Sequence, residues 1–137
     1  MIDYADNLDN ISIQMLKGFF VDWYRRPSSE KLYDMLMKSE YKILALDTEM
    51  NKVAGFINAI SDHTLSAYIP LLEVLPAYRK QGIGKELVKR MIEKLKDYYM
   101  IDLCCDERLA KFYGKFGMKK MQAMTIRNYQ NQSGIVR

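Results

Sequence analysis

The chain of 137 residues has one histidine, His63, and two cysteines, Cys104 and Cys105, which are adjacent. Each shortage excludes a chemistry. Neighbours on an extended chain point to opposite faces, so the two cysteines do not form an ordinary disulfide with each other. No third cysteine or second histidine is present to build a Cys/His zinc site, so no metal site is expected. A Ser-His-Asp triad would have to be built around His63 alone. No run approaches the ~18 uninterrupted apolar residues of a membrane span. The opening "MIDYADNLDN" is acidic and lacks the basic-then-apolar order of a signal peptide. A cytoplasmic protein that does not engage a membrane is expected.

What is present fits one domain over residues 1–137, with an ordinary 49% hydrophobic and 28% charged content. The net charge is +4, and its location matters more than its size. From Arg79 to Lys96 there are seven basic and two acidic residues, so this segment holds the whole positive excess. That points to a local anion site, with a solvated helix face as the plain reading for most of the lysines. Nucleic-acid binding is not expected, because Glu86 and Glu93 interrupt the positive charge and no aromatics interleave it.

Periodicity gives the outline. "SIQMLKGFFVDWYRR" has apolar residues at near-helical spacing, with Ser12 as a possible cap, and predicts a first helix broken by Pro27. Ser28 or Ser29 can cap a second helix carrying Leu32, Met35 and Leu36. "YKILALD" and "VAGFINAI" read as a hairpin turning at Asn51, and "TLSAYIPLLEVL" as an extended segment interrupted by Pro70. Ile83, Leu87, Val88, Met91, Ile92 and Leu95 form one apolar stripe, which predicts a helix. "YYMIDLCC" is apolar on both alternations and predicts a central strand. A short helix ending near Gly117, one or two last strands in "MKKMQAMTIRNY" and a frayed tail complete the chain. The strand–turn–helix–strand unit implies a parallel pair, so the fold class is α+β with a mixed sheet.

Gly82-Ile83-Gly84 stands where that longest helix begins. Glycines there let a ligand approach the unpaired N–H groups of a helix start, and Arg79, Lys80 and Lys85 add positive charge. A tight strand-to-helix turn explains the glycines equally well. Two familiar phosphate loops fail. GxxxxGK[ST] aligned on Gly84-Lys85 meets Arg79 and Glu86, and GxGxxG meets Leu87 where its third glycine belongs.

Arg79-Lys80-Gln81-Gly82-Ile83-Gly84 instead resembles the [Q/R]-x-x-G-x-[G/A] signature of the GNAT superfamily of N-acetyltransferases. Val74-Leu75-Pro76-Ala77-Tyr78 resembles the end of that family's fourth strand, and "ERLAKFYGKFGMKKM" its later A-x-x-(L/F)-Y-x-K-x-G-F element. The order of elements agrees over nearly the whole chain. The resemblance implies a mostly antiparallel twisted sheet with a parallel pair splayed at the fourth and fifth strands, flanked by about four helices. It implies an N-acetyltransferase that passes an acetyl group from acetyl-CoA to a primary amine by direct attack. The alternative is a non-catalytic acyl-CoA-binding sensor of the same fold.

By the same resemblance, Arg79, Lys80, Gln81, Gly82, Ile83, Gly84 and Lys85 hold the pyrophosphate. The backbone of Leu72, Val74 and Leu75 pairs with the pantetheine arm. Tyr113 is the expected general acid. Glu73 is the candidate base, with Asp102 or a chain of waters as rivals. Asp106 replaces a usual Asn and is read as a helix cap. Phe19, Phe20, Trp23 and Tyr24 are candidates to line the acceptor side, where Asp22 could attract a cationic amine. The acceptor is a small-molecule or peptide amine, and a homodimer is possible.

Overall fold

Two buried layers meet across one long strand. The structure is a computed structural model that describes residues 1–135. Its strands are β1 (Ile2–Ala5), β2 (Tyr41–Asp47), β3 (Lys52–Ser61), β4 (Ser66–Tyr68), β5 (Leu72–Val74) and β6 (Met100–Asp102), and its helices α1 (Ser29–Lys38), α2 (Ile83–Leu95) and α3 (Ala110–Gly114). The sheet order is β1-β2-β3-β4-β6, with β5 also pairing β3. All pairs are antiparallel except β4 with β6. This is the expected mixed sheet, with three helices beside it.

β3 is buried from Val53 to Ala59, and its alternation feeds both layers. Ile57 and Ala59 face the α2 side, where Leu87, Val88, Met91 and Leu95 complete the apolar stripe. Val53 and Phe56 face Leu16, Phe20, Leu32 and Leu36. Each large side chain so buried contributes about 1.5–3 kcal/mol. The charged face of α2 is solvated, and its basic residues are partly matched on the helix: Arg90 pairs Glu86 and Lys96 pairs Glu93, both at 2.8 Å. α1 starts where Ser28 accepts the Lys31 N–H at 3.1 Å.

Four elements depart from expectation. Residues 12–26 are not a helix beyond one 3-10 turn, Ile13–Leu16. Gly18, Phe20 and Asp22 take positive φ of 95°, 63° and 71°, which a right-handed helix cannot contain. A contact from β5, described below, overrides the local periodicity. β6 is a three-residue edge strand rather than a central one, because among the described residues it pairs only with β4. Its apolar Ile101 and the following Leu103 face the α2 layer, while Met100 and Asp102 are exposed. "MKKMQAMTIRNY" forms no strand. The tail is not frayed over the described residues: Tyr129–Asn131 makes a 3-10 turn that docks on the loop before α1.

Candidate active site

The start of α2 presents unpaired backbone donors at the surface. Gly82 is its N-cap, at φ 82° and ψ 5°, and follows Lys80 at φ 63°. Glu86 is the first residue whose N–H bonds back, to the Gly82 carbonyl at 3.1 Å. The amides of Gly82, Ile83, Gly84 and Lys85 therefore donate to no acceptor among the described residues. A Cβ on Gly82 would meet nothing within 4 Å, and one on Gly84 only Val74 Cγ2 at 3.7 Å. Protein packing thus does not require either glycine. Gly82 is needed for its left-handed backbone, and both keep the outer approach clear. Arg79, Lys80, Gln81 and Lys85 are exposed around the turn, while the Ile83 side chain is buried beneath it. The turn is tethered from below, where the Tyr78 hydroxyl donates to Asp47 on β2 at 2.6 Å. Amides at a helix start, ringed by cations, fit a pyrophosphate.

A gap in the sheet runs up to this turn. β4 stays parallel to β6 as far as Ile69, whose N–H donates to the Asp102 carbonyl at 2.9 Å. Pro70 offers no N–H, and beyond it β5 pairs with β3 alone. Leu75 N–H donates to the Ala54 carbonyl at 2.9 Å, and the Leu71 carbonyl accepts from Asn58. The antiparallel alternation therefore turns the backbone of residues 71, 73 and 75 toward β3, and that of Leu72 and Val74 toward the gap. This is where a pantetheine arm could pair. The Val74 carbonyl already accepts from Arg79 Nε at 3.1 Å. Leu75 is a correction to expectation. Its N–H is committed to Ala54 and so cannot pair with an arm, its carbonyl accepts the Tyr78 N–H at 2.9 Å, and its side chain is buried.

Tyr113 lies on α3 in the buried α2-side cluster, edge-on to Phe112 at 4.9 Å between ring centres. Burial, and secondarily the nearby Cys105, push its phenol up to about 12. The hydroxyl has no hydrogen-bond partner among the described residues, yet no buried side-chain oxygen there is left unpaired. The oxygen therefore reaches the surface while the ring stays buried. Such a phenol keeps its proton at neutral pH and can present it outward. Asp106 occupies the cap position of the 3-10 turn Glu107–Leu109, but its side chain makes no capping bond. It points instead toward Arg108, 3.6 Å away, so the expected cap is one of position only.

Glu73 faces the other side of β5 from Leu72 and Val74. Its Oε1 and Oε2 each accept the Phe20 N–H at 2.9 Å, and Oε2 also accepts the Val21 N–H at 3.3 Å. This contact holds the loop of left-handed residues that replaced the expected helix. Phe19 and Phe20 are core, whereas Tyr24 and Asp22 point to solvent. Trp23, half-buried and 4.8 Å from the Phe20 ring, helps to line a cleft of about 290 Å³ with Leu32, Met35, Leu71 and Asn131. Asp102 shares the Glu73 face of the sheet and is exposed.

Two parts of this side were not apparent from sequence. Tyr68 pairs with Asp102 across β4 and β6, which puts the two side chains on one face. The Cys104 side chain and burial raise its pKa. The C-terminal segment closes the cleft, with Arg25 N–H donating to Gln132 Oε1 at 2.9 Å and Arg25 Nη1 to the Gln130 carbonyl at 3.0 Å. A wider hollow of about 720 Å³ lies between β1 and α2, but Lys94 pairs Asp6 there at 2.8 Å and Arg90 covers the Tyr4 ring. Among the described residues no group of three or more metal-ligating side chains is gathered.

The family model described as the acetyltransferase (GNAT) family matches residues 10–118. Histone acetyltransferase TAP1 of Glycine max is 31% identical over 111 residues, covering 72% of this chain and 47% of the soybean protein. The chain spans about half the length of the curated relatives that it matches. A crystal structure from Deinococcus radiodurans R1, named for a candidate acetyltransferase, is 40% identical with a TM-score of 0.94, covering 99% of this chain and 94% of that one. Glucosamine-6-phosphate N-acetyltransferase of Arabidopsis thaliana shares the fold at 14% identity and a TM-score of 0.70, covering 93% of this chain and 97% of that one.

Proposed function

The chain belongs to the GNAT acetyltransferase family, and from that premise we propose that it is an N-acetyltransferase that moves an acetyl group from acetyl-CoA to a primary amine. The observation that carries this reading is the continuity of two backbone surfaces. The free amides of Ile83, Gly84 and Lys85 at the α2 start adjoin the gap into which Leu72 and Val74 turn their own backbone groups. The first suits the pyrophosphate and the second the amide-bearing arm of the same donor.

Acetyl-CoA supplies an activated acyl carbon, and the protein's residues orient it and handle protons. The amine nitrogen forms the new C–N bond as the C–S bond breaks, and the leaving sulfur needs a proton. Tyr113 Oη holds one at neutral pH, because burial pushes its pKa to about 12. The incoming amine must lose a proton, since alkyl amines have pKa values near ~10. Glu73 Oε1 keeps a lone pair beyond the one facing Phe20, and can accept that proton through a water. The amine attacks the acetyl carbon directly in a ternary complex, with Tyr113 and Glu73 handling the two protons.

The acceptor enters from the Glu73 face, where the Trp23 cleft offers an apolar wall. Its chemistry suits the apolar part of a small amine or of a peptide. The name of the soybean relative adds protein lysines to the acceptors worth testing. The experiment is a thiol-release screen with acetyl-CoA against amines, polyamines and lysine peptides, run beside calorimetry with CoA. Thiol release dependent on one amine class supports the proposal. CoA binding without release from any acceptor would favour the non-catalytic sensor, and no CoA binding would defeat both readings.

A further inference from the structure

Part of the acceptor-side cleft comes from the far end of the chain. Trp23, Met35 and Leu71 give the cleft an apolar lining, and Asn131, Gln132 and Gly134 complete it. Leu71 ties this cleft to the candidate base. The Asn58 N–H donates to the Leu71 carbonyl at 3.2 Å, so the pairing with β3 runs on through Leu71 beyond β5. Leu71 therefore shares a face with Glu73, two residues on, at a spacing of ~7 Å along the strand.

The C-terminal part of the lining is thinly held. Gly134, at φ 81°, brings the chain against the Lys31 stem on α1, where a Cβ would stand 3.7 Å from Lys31 Cδ. Among the described residues two hydrogen bonds clasp this segment to the rest of the chain, both at the surface. Arg25 N–H donates to Gln132 Oε1 at 2.9 Å, and Arg25 Nη1 to the Gln130 carbonyl at 3.0 Å. The segment's large side chains add little burial, since Tyr129 is 65% exposed and Ile135 56%. The position of the clasp gives it leverage. Arg25 lies two residues after Trp23, and Glu73 holds the same loop at Phe20 and Val21. Between these anchors the Trp23 N–H donates to the Phe20 carbonyl at 3.2 Å. The loop carrying Trp23 is thus fixed at one end by the candidate base and at the other by the C-terminal segment.

We propose that Tyr129–Gly134 is a strap over the acceptor cleft, and that Gln130 and Gln132, by clasping Arg25, make it the wall that limits the size of the amine's substituent. The proposal rests on the N-acetyltransferase reading above. An amine whose nitrogen meets Glu73 places an apolar group one strand repeat away, beside Leu71 and Trp23. With the strap clasped, the cleft of about 290 Å³ admits a group at the small end of the usual ligand range. Each surface hydrogen bond contributes little on its own, and losing both lowers the ratio of clasped to open strap by at least about 10-fold. Arg25, Gln130 and Gln132 touch no reacting atom and act as positioning residues. Unclasping therefore loosens the choice among amines and leaves the acetyl-CoA loop at Gly82–Lys85 as it was.

The test compares the full chain with the double variant Arg25→Ala/Gln132→Ala, which loses both bonds, and with Gln132→Glu, which keeps an accepting oxygen. Neither side chain is buried, so Tm stays within about 2 °C of the parent. Trp23 is the only tryptophan, and acrylamide quenching of its fluorescence reads the cleft without any reaction. The quenching constant rises at least about 2-fold in the double variant and returns to the parent value in Gln132→Glu. Thiol release from acetyl-CoA, over a series of primary amines of increasing bulk, gives the second reading. The parent's preference for small over bulky amines shrinks at least about 10-fold in the double variant, through amine KM, while acetyl-CoA KM holds. Quenching that does not change, or the same ranking of amines in parent and double variant, overturns the strap. No release from any amine in the parent itself is a different failure: it defeats the transferase reading, and the strap's part in amine selection with it.

Discussion

Replacing Glu73 by Gln separates the loop contact that this side chain makes from its proposed role as base. As a carboxylate it accepts the Phe20 N–H at 2.9 Å with both oxygens and the Val21 N–H at 3.3 Å. The loop it holds includes Phe20 at φ 63° and Asp22 at φ 71°, each costing roughly 1 kcal/mol against a relaxed backbone. A hydrogen bond to a charged acceptor contributes about 1.5–3 kcal/mol. Gln keeps one oxygen and turns an NH₂ donor toward backbone donors, so about one such bond is lost. The expected destabilisation is about 2 kcal/mol, or about 6 °C in Tm for a domain of this size. Calorimetric melting of both proteins measures it. A Tm within about 1 °C of the parent would refute the view that Glu73 holds the loop. The catalytic job has its own signature. If Glu73 takes the amine proton, kcat of Glu73→Gln falls about 10²–10⁴-fold near neutral pH and recovers as the pH nears the amine pKa. A loss that high pH does not rescue, with amine KM raised, would leave only the holding role.

Tyr113→Phe lowers kcat by about 10²-fold with acetyl-CoA KM unchanged, in a thiol-release assay; an unchanged kcat would exclude Tyr113 as the acid. Burial raises this phenol to about 12 in the folded chain, above its unfolded value of 10. The unfolded chain therefore loses the proton first, and this contribution to stability is complete below pH 10 and lost as pH rises toward 12. Urea melts over that range should show a shallower decline for Tyr113→Phe. Gly84→Ala places a methyl at ordinary contact, 3.7 Å from Val74 Cγ2, so stability holds or rises by up to about 1 kcal/mol while acetyl-CoA KM rises at least 10-fold. Gly55→Ala puts a Cβ 3.1 Å from the Glu73 carbonyl and 3.3 Å from Leu87, and chemical denaturation should show a loss of about 1–3 kcal/mol. Asp62 accepts the amides of Thr64, Leu65 and Ser66, which hold its pKa at about 2. Its contribution is present above the unfolded value of 3.8 and lost as pH falls toward 2, so Asp62→Asn should flatten acid unfolding in that window.

The geometry of the candidate donor half was legible because local sequence and short connections build it. A left-handed N-cap calls for glycine, and Gly82 supplies it next to a helix whose stripe is plain from Ile83 to Leu95. Pro70 marks where β5 leaves the parallel pair, because a residue without N–H cannot continue the ladder. Leu75 was misplaced for a small reason. Strand alternation fixes which backbone groups face the gap only once the register with β3 is known, and that register puts Leu75 opposite Ala54.

The acceptor half depends on contacts between distant parts of the chain. Glu73 reaches Phe20 across 53 residues, and Arg25 reaches Gln132 across 107. Neither leaves a local mark. Phe20 and Asp22 carry no glycine to advertise positive φ, and the apolar spacing from Ile13 to Tyr24 imitates a helix because a folded-back loop also buries about every third or fourth residue. The β6 edge misled for a related reason. "YYMIDLCC" is apolar on both alternations, as a doubly covered strand would be, yet one copy covers only the Ile101 face and leaves Tyr99 and Met100 in water. "MKKMQAMTIRNY" likewise has the composition of a strand, yet residues 119–127 stand beside no strand among the described residues. In both segments the apolar and β-branched residues state what a strand could be made of, while the partner that would make it one lies far off in sequence and leaves no local mark.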